Sequence, residues 1–194
     1  FSINRLFGEA LLPDGETYTF WGKGLSQGHS DAIRRVEGVK AGVQYTIPST
    51  EAIEKVRSGV RPVLTTKEKH TRECYVVLAE DADAEAVKQA IVTMPDYFAD
   101  YDTTVNFIDE ATLAQDHQRM PHGGFVIRSG NTSDAHKQVL EFSLKLESNP
   151  EFTASILVAY ARATYRLNQM GQYGAKTAFD VAPGLLSMKS PEQL

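Results

Sequence analysis

Two residues have side chains that form strong hydrogen bonds. One lies next to an apolar segment, and the other lies next to glycines that leave open space. Arg72 stands directly before the apolar run that starts at Glu73, and a guanidinium can grip a carboxylate through two parallel hydrogen bonds. His122 is followed by two glycines, which leave space around its ring. Each also has a structural interpretation, as a solvated arginine at a strand end or as a structural histidine. An arginine and a histidine are residue types typical of an anion-binding site. From composition alone, however, Arg72 is more commonly a solvated arginine at the end of a strand.

A glycine-rich segment, Gly22 to Gly28, follows a predicted strand and superficially imitates the dinucleotide fingerprint G-x-G-x-x-G. Its third glycine falls one position late, and no acidic residue ends the next strand, which stops at Pro48. We therefore expect no nucleotide at this segment. It is either a flexible surface turn or a loop whose amides and Gln27 side chain approach a polar substrate beside Trp21, because glycine has no side chain to obstruct it.

Three further groups favour structural roles. Asn149 is predicted to be the N-cap of a long helix, a position that does not exclude contact with a ligand. Cys74 lies within an apolar strand pattern and is predicted to be a buried small hydrophobe and not a nucleophile. No Ser-His-Asp or Cys-His arrangement can be argued from the spacings, so the catalytic group stays unassigned. We also predict no metal site, because zinc spacing is lacking among Asp116, His117 and His122.

The elements that must position these residues alternate between strand and helix patterns. Segments rich in β-branched and aromatic residues predict strands, and apolar residues that recur at three and four predict helices. This order indicates an α+β domain with a mixed or antiparallel sheet and helices packed on one face. The predicted strands are 16–22, 43–47, 73–79, 103–108, 124–129 and 138–146, with a hairpin turn at 130–134. The predicted helices are 2–12, 30–36, 50–57, 84–93, 111–117 and 149–170.

The bulk composition excludes several classes of protein. The 194 residues are 42% hydrophobic and 23% charged, as expected for one compact domain with a hydrophobic core. A net charge of −5 without a basic stripe argues against a nucleic-acid partner. No apolar run approaches the roughly 20 residues that cross a bilayer, so we expect no membrane association. A single cysteine and the lack of a charged and apolar leader favour the reducing cytoplasm.

Four ordered segments carry a resemblance that covers essentially the whole chain. They are T-F-W-G-K-G-L-S-Q-G-H-S-D-A (19–32), M-P-D-Y-F (94–98), M-P-H-G-G (120–124) and S-N-P-E-F-T-A-S (148–155). The chain resembles the meso-diaminopimelate D-dehydrogenase family. In that family an N-terminal Rossmann domain binds NADP, and the remainder forms the substrate and dimer domains. The resemblance implies a homodimer that reversibly deaminates meso-2,6-diaminopimelate at its D-centre, giving L-2-amino-6-oxopimelate and ammonia for lysine biosynthesis.

The resemblance also implies roles for individual residues. Both ends of the substrate are amino acids of opposite handedness, so the D-centre is selected only if the distant L-end is held rigidly. Arg72 would pair with the distal carboxylate, and Thr46 and His122 would donate further hydrogen bonds. The remaining contacts implied are Asn149 at the distal amino group, Phe20 and Trp21 along the aliphatic middle, and Gln27 and Gly28 at the D-end.

The expected organisation places a substrate-binding and dimerisation domain at residues 1–174. An apolar helix that begins at the first residue suggests that a segment precedes it, and residues 175–194 are expected to pack against the dinucleotide-binding domain. NADP would be bound mainly by that domain, so the fragment alone would be inactive. Two alternatives stay open: a stand-alone amino-acid-binding or dimerisation module, and a related D-amino-acid dehydrogenase.

Overall fold

The computed structural model describes residues 1–193, which divide into two compact units, Phe1–Glu147 and a second that starts at Ser148. The strands of the first unit are β1 (Gly15–Trp21), β2 (Gly24–Leu25), β3 (Val39–Pro48), β4 (His70–Leu78), β5 (Asp102–Phe107), β6 (His122–Ser133) and β7 (His136–Leu146). Its helices are α1 (Ser2–Leu11), α2 (Gln27–Arg34), α3 (Thr50–Arg57), α4 (Thr66–Lys69), α5 (Ala84–Val92) and α6 (Glu110–Asp116).

A three-stranded antiparallel sheet is built in the order β1-β6-β7. Alternate residues of a strand point to opposite faces, and the face of β1 that carries Tyr18 and Phe20 packs with Ile127 of β6. The apolar stripe of α3 covers this cluster with Ile53 and Val56. Burial of these side chains fixes the position of β1, so Trp21 at its end points away from the core.

A four-stranded mixed sheet is built in the order β2-β3-β4-β5, with only the β4 and β5 pair parallel. Its core face joins Ile33 of α2, Cys74 and Val76 of β4, and Val87 and Ile91 of α5. On the other face, Tyr75 stacks against His117 at the end of α6, with ring centroids 4.2 Å apart. Arg72 shares the core face with Cys74, two residues along the same strand.

The α+β class with mixed and antiparallel pairing is confirmed, but the helices do not all pack on one face, because α6 lies on the opposite face of the mixed sheet from α2 and α5. Two further details differ from the sequence expectation. The strands form two sheets, and β2 lies inside the segment interpreted as a glycine-rich loop. The hairpin turn is shorter than 130–134, because β6 and β7 stay paired up to Ser133 and His136 across a register shift.

The second unit contains α7 (Asn149–Gln169), the short helix α8 (Pro183–Leu186) and a 3₁₀ turn (Pro191–Gln193). The N-cap of α7 is Ser148 and not Asn149, because the Ser148 hydroxyl accepts the Glu151 amide at 3.4 Å. Arg166 of α7 donates to the carbonyls of Leu185 and Ser187 at 3.0 and 2.7 Å, which ties α8 to α7. Within residues 1–193, no helix is long and apolar enough to span a membrane.

Candidate functional site

A buried arginine forms the centre of the candidate site. Arg72 is only 6% exposed, and it lies opposite Thr46 in the paired strands β3 and β4. Its Nη1 donates to the Thr46 hydroxyl, and its Nε is buried with no hydrogen-bond partner. None of the ion pairs formed by residues 1–193 includes this guanidinium. A buried cation without an anionic partner is costly, so the site is suited to accept an anion.

The Thr46 hydroxyl is held in place by two donors. Besides the bond from Arg72, it accepts a hydrogen bond from the Gln44 side-chain amide at 3.4 Å. Gln44 is fully buried, and its backbone amide donates to the Ser30 hydroxyl at 2.9 Å. Both bonds use the lone pairs of the threonine oxygen, so its proton is left to be donated to a ligand.

Gly24 links this pair to the third predicted residue, His122. Gly24 of β2 is paired with Thr46, and a Cβ atom placed on it would lie 2.8 Å from the Cα of His122. Because any larger residue would clash with the backbone there, glycine allows β6 to begin next to β2. The structure therefore brings Arg72, Thr46 and His122 to one region of the first unit.

The state of the His122 ring suits it for hydrogen-bond donation. The Gly123 amide donates to His122 Nδ1 at 2.8 Å, so the proton of the neutral ring lies on Nε2. Burial lowers the pKa of His122, which favours this neutral form at pH 7. The ring thus offers one N–H donor without adding charge.

Trp21 lies beside His122, whereas Phe20 does not. The Trp21 and His122 rings meet edge to face with centroids 5.8 Å apart, and Trp21 is 44% exposed. Its backbone amide donates to His70 Nε2 at 2.8 Å. Phe20 is fully buried in the core under α3. Of the two residues expected along the aliphatic middle, only Trp21 presents a surface to a ligand in this structure.

Gln27 and Gly28 are exposed at the start of α2. The Gln27 amide nitrogen lies 3.4 Å from the Met120 sulfur, and a Cβ on Gly28 would meet no atom within 4 Å. Asn149 is the first residue of α7 and belongs to the second unit. Its approach to the other site residues stays a prediction.

The segment from Gly22 to Gly28 does not fit a dinucleotide phosphate. Gly24 and Leu25 are paired with β3, and the Leu25 amide donates to the Pro121 carbonyl at 2.9 Å. These groups are committed to a sheet, whereas a phosphate loop needs free amides at a helix N-terminus. Gly24 and Leu25 are therefore not available to cradle a phosphate.

Two more histidines lie close to Arg72, and both are kept neutral. Burial, followed by the Arg72 charge, lowers the pKa of His70 and of His29 to about 4. Neutral His70 can accept the Trp21 amide, whereas a protonated ring could not. At pH 7 the two rings therefore add no positive charge to that of Arg72.

We expect His70 to make the free energy of unfolding depend on pH. Its folded pKa of about 4 lies below the ordinary value of 6.5, so the unfolded chain binds the proton first as the pH falls. The stabilising contribution of the neutral His70 ring is complete above pH 6.5. This contribution, on the order of 3 kcal/mol, is lost as the pH falls from 6.5 to 4. Denaturant titrations of the wild type and of His70→Gln at pH 7.5 and 5 measure it, with His136→Gln as the exposed control. An unchanged pH dependence in His70→Gln would disprove this assignment.

Gln44, Gly24 and His70 were not identified as site residues from the sequence. Gly24 and His70 act through partners far along the chain, and no local motif marks such a contact. The nearest signal was the G-x-G spacing around Gly24, which we interpreted as a loop and not as a short strand.

Comparison with known proteins identifies the family of the chain. The family model of the diaminopimelic acid dehydrogenase C-terminal domain matches residues 1–148. The chain is 66% identical over 194 residues to the meso-diaminopimelate D-dehydrogenase of Ureibacillus thermosphaericus, covering 100% of this chain and 60% of that protein. It thus spans about 60% of the length of the curated relatives that it matches.

Two solved structures share the fold. One is a sixfold-substituted meso-diaminopimelate dehydrogenase of Clostridium tetani with diaminopimelate (58% identity, TM-score 0.93, 98% of this chain and 59% of that one). The other is an engineered D-amino acid dehydrogenase bound to NADP+ (49% identity, TM-score 0.87, 99% of this chain and 60% of that one). The chain therefore belongs to the diaminopimelate dehydrogenase family and contains its C-terminal domain.

Proposed function

We propose that this chain is the substrate-binding part of an NADP-dependent meso-diaminopimelate D-dehydrogenase. The carrying observation is the buried Arg72, which lacks an anionic partner among residues 1–193 and lies against the Thr46 hydroxyl. A carboxylate at this place would accept from the guanidinium, from Thr46 and from the Nε2–H of His122. The distal L-end of meso-diaminopimelate carries such a carboxylate.

The Clostridium tetani variant supports the choice of residues. A glutamine, a threonine, an arginine, a proline, a histidine and an asparagine are replaced in it, at successive intervals of 19, 26, 49, 1 and 27 residues. In this chain the same residue types occur at the same intervals, as Gln27, Thr46, Arg72, Pro121, His122 and Asn149. Five of them are residues that we assign to the substrate, and the sixth, Pro121, is the neighbour of His122.

The chain's own residues contribute orientation and not the redox chemistry. NADP, held by another part of the full-length enzyme, would supply the hydride acceptor for the D-carbon, and water would complete the release of ammonia. Because Arg72, Thr46 and His122 hold the L-end, only the D-carbon hydrogen can point at the nicotinamide. Trp21 would cover the methylene chain and exclude water, while Gln27 and Gly28 would border the D-end.

The reaction can be tested with stereoisomers of the substrate. We expect the full-length enzyme to reduce NADP+ fastest with the meso isomer and not with the LL isomer, which has no D-centre. The DD isomer has a D-centre but presents the wrong hand at the far end, so it should react more slowly. Comparable rates with short D-amino acids would instead support the related D-amino-acid dehydrogenase.

We also propose that the protein acts as a cytoplasmic homodimer. Apolar side chains are exposed along α1, including Leu6 and Phe7, and along β7, including Leu140 and Phe142. Exposed apolar surface of this extent is typical of an interface, and a two-fold axis would pair the face with itself. Sedimentation at micromolar concentration should give twice the monomer mass, and a monomer would contradict the proposal.

We further propose that residues 175–194 contact the nucleotide domain.

A further inference from the structure

We propose that Tyr101 is a positioning residue that holds the Arg72 guanidinium for the substrate carboxylate. The inference rests on the proposed function of the Arg72 site and adds a residue to it. Arg72 and Tyr101 come from neighbouring elements, since Tyr101 directly precedes β5 and β5 pairs in parallel with β4. The Arg72 guanidinium carbon lies 3.8 Å from the centre of the Tyr101 ring.

Stacking on a ring stabilises a guanidinium in a way that an ion pair cannot. The ring contacts the face of the cation, whereas all five N–H donors lie in the guanidinium plane. Tyr101 therefore restrains the orientation of Arg72 through the face of the guanidinium. A carboxylate in place of the ring would occupy the same donors that the substrate needs.

The hydrogen bonds of Arg72 agree with this role of Tyr101. One donor of the guanidinium is used by Thr46, and the buried Nε has no partner. Thr103, which faces Arg72 across the β4 and β5 pair, also has a buried hydroxyl without a partner. The edge of the guanidinium contacts Thr46 and its face contacts Tyr101, while its Nε has no partner among residues 1–193.

Tyr101 is itself held by a rigid turn. Its amide donates to the Phe98 carbonyl at 2.9 Å, and the Phe98 amide donates to the Met94 carbonyl at 3.1 Å. Phe98 is fully buried in the core that includes α5. The turn that positions the ring is therefore anchored to the same core as the strand that carries Arg72. Burial lowers the pKa of Arg72, and the Tyr101 hydroxyl acts in the opposite direction.

The test compares two substrates in the full-length enzyme. D-lysine is meso-diaminopimelate without its distal carboxylate, so its turnover does not depend on hydrogen bonds from Arg72 to that carboxylate. We expect Tyr101→Leu to raise the KM for meso-diaminopimelate about tenfold, as for a desolvated cation–π contact of 1–2 kcal/mol. The kcat should stay within about twofold, and kcat/KM for D-lysine should not change. Tyr101→Phe keeps the ring and should restore the wild-type KM.

Controls separate positioning from a purely structural role. Tyr75→Leu removes a ring from the opposite face of the same sheet and should leave both substrates unaffected. In an Arg72→Ala background, Tyr101→Leu should add nothing to the KM, because the two residues act as one unit. If Tyr101→Leu does not fold, Tyr101→Met offers a flexible side chain without a π face for the same comparison.

Two results would overturn the inference: equal losses with both substrates in Tyr101→Leu, or failure of Tyr101→Phe to restore the KM. A failed inference is distinguishable from a failed proposed function. If Arg72→Ala raises the KM and Tyr101→Leu does not, only the role of Tyr101 is wrong. If Arg72→Ala leaves the KM unchanged, the carboxylate site itself is wrong.

Discussion

Replacing Arg72 with alanine in the full-length dehydrogenase is expected to raise the KM for meso-diaminopimelate by about 30-fold or more. Truncating one partner of a buried, hydrogen-bonded charge pair costs about 2–5 kcal/mol, because the substrate carboxylate would be desolvated and unpaired. Steady-state kinetics with saturating NADP+ measures the effect. D-lysine, which lacks the distal carboxylate, should be affected much less.

Two variants sharpen this experiment. Arg72→Lys keeps the charge but loses the planar fork and the stacking face, so its KM should stay well above that of the wild type. Arg35→Ala is the matched control, since Arg35 is 79% exposed and pairs only with Asp31 of the same helix. Surface pairs of this kind contribute about 0–1 kcal/mol. An Arg72→Ala enzyme with wild-type KM and kcat would refute the assignment of the carboxylate site.

Replacing Arg128 with alanine is expected to lower the free energy of unfolding of the first unit by about 1–3 kcal/mol, as for a buried acceptor left without its donor. Arg128 is 3% exposed, and it donates to the Leu12 carbonyl at 2.9 and 2.6 Å and to the Pro13 carbonyl at 3.1 Å. It also pairs with Glu9 at 3.0 Å. Arg128→Ala would leave these acceptors unpaired and release the end of α1, which denaturant unfolding can measure.

Arg57→Ala is the matched control for this stability prediction. Arg57 also pairs with carboxylates, those of Glu54 and Glu141, but its side chain is 34% exposed. We expect a loss of at most about 1 kcal/mol, because water can solvate the remaining groups. Similar losses in the two variants would show that the burial of Arg128 is not what makes it important.

The longer helices and most strands could be predicted because their signals are local, whereas the four-residue helices α4 and α8 were missed. The apolar spacing in α3 and the cap at Ser49 fixed its bounds at Thr50–Arg57. The division into two sheets could not be predicted, because a period of two shows which face of a strand is buried and not which strand is its neighbour. The cap of α7 was misplaced by one residue because Ser148 and Asn149 are both good caps.

The candidate site was only partly predictable for the same reason. Arg72 was noticed for its chemistry, but its burial depends on pairing with β3 and β5, which the sequence does not show. Thr46 and His122 were assigned through the family resemblance, and their closeness depends on Gly24, whose spacing was interpreted as a loop. Tyr101 has no feature in sequence that distinguishes it from the seven other tyrosines.

The most direct test is a crystal structure of the full-length enzyme with meso-diaminopimelate. The account predicts that the L-centre carboxylate lies within hydrogen-bond distance, about 2.7–3.2 Å, of the Arg72 guanidinium and the Thr46 hydroxyl. The guanidinium should remain stacked on Tyr101. A D-centre carboxylate at Arg72, or a ligand bound without contact to Arg72, would contradict it.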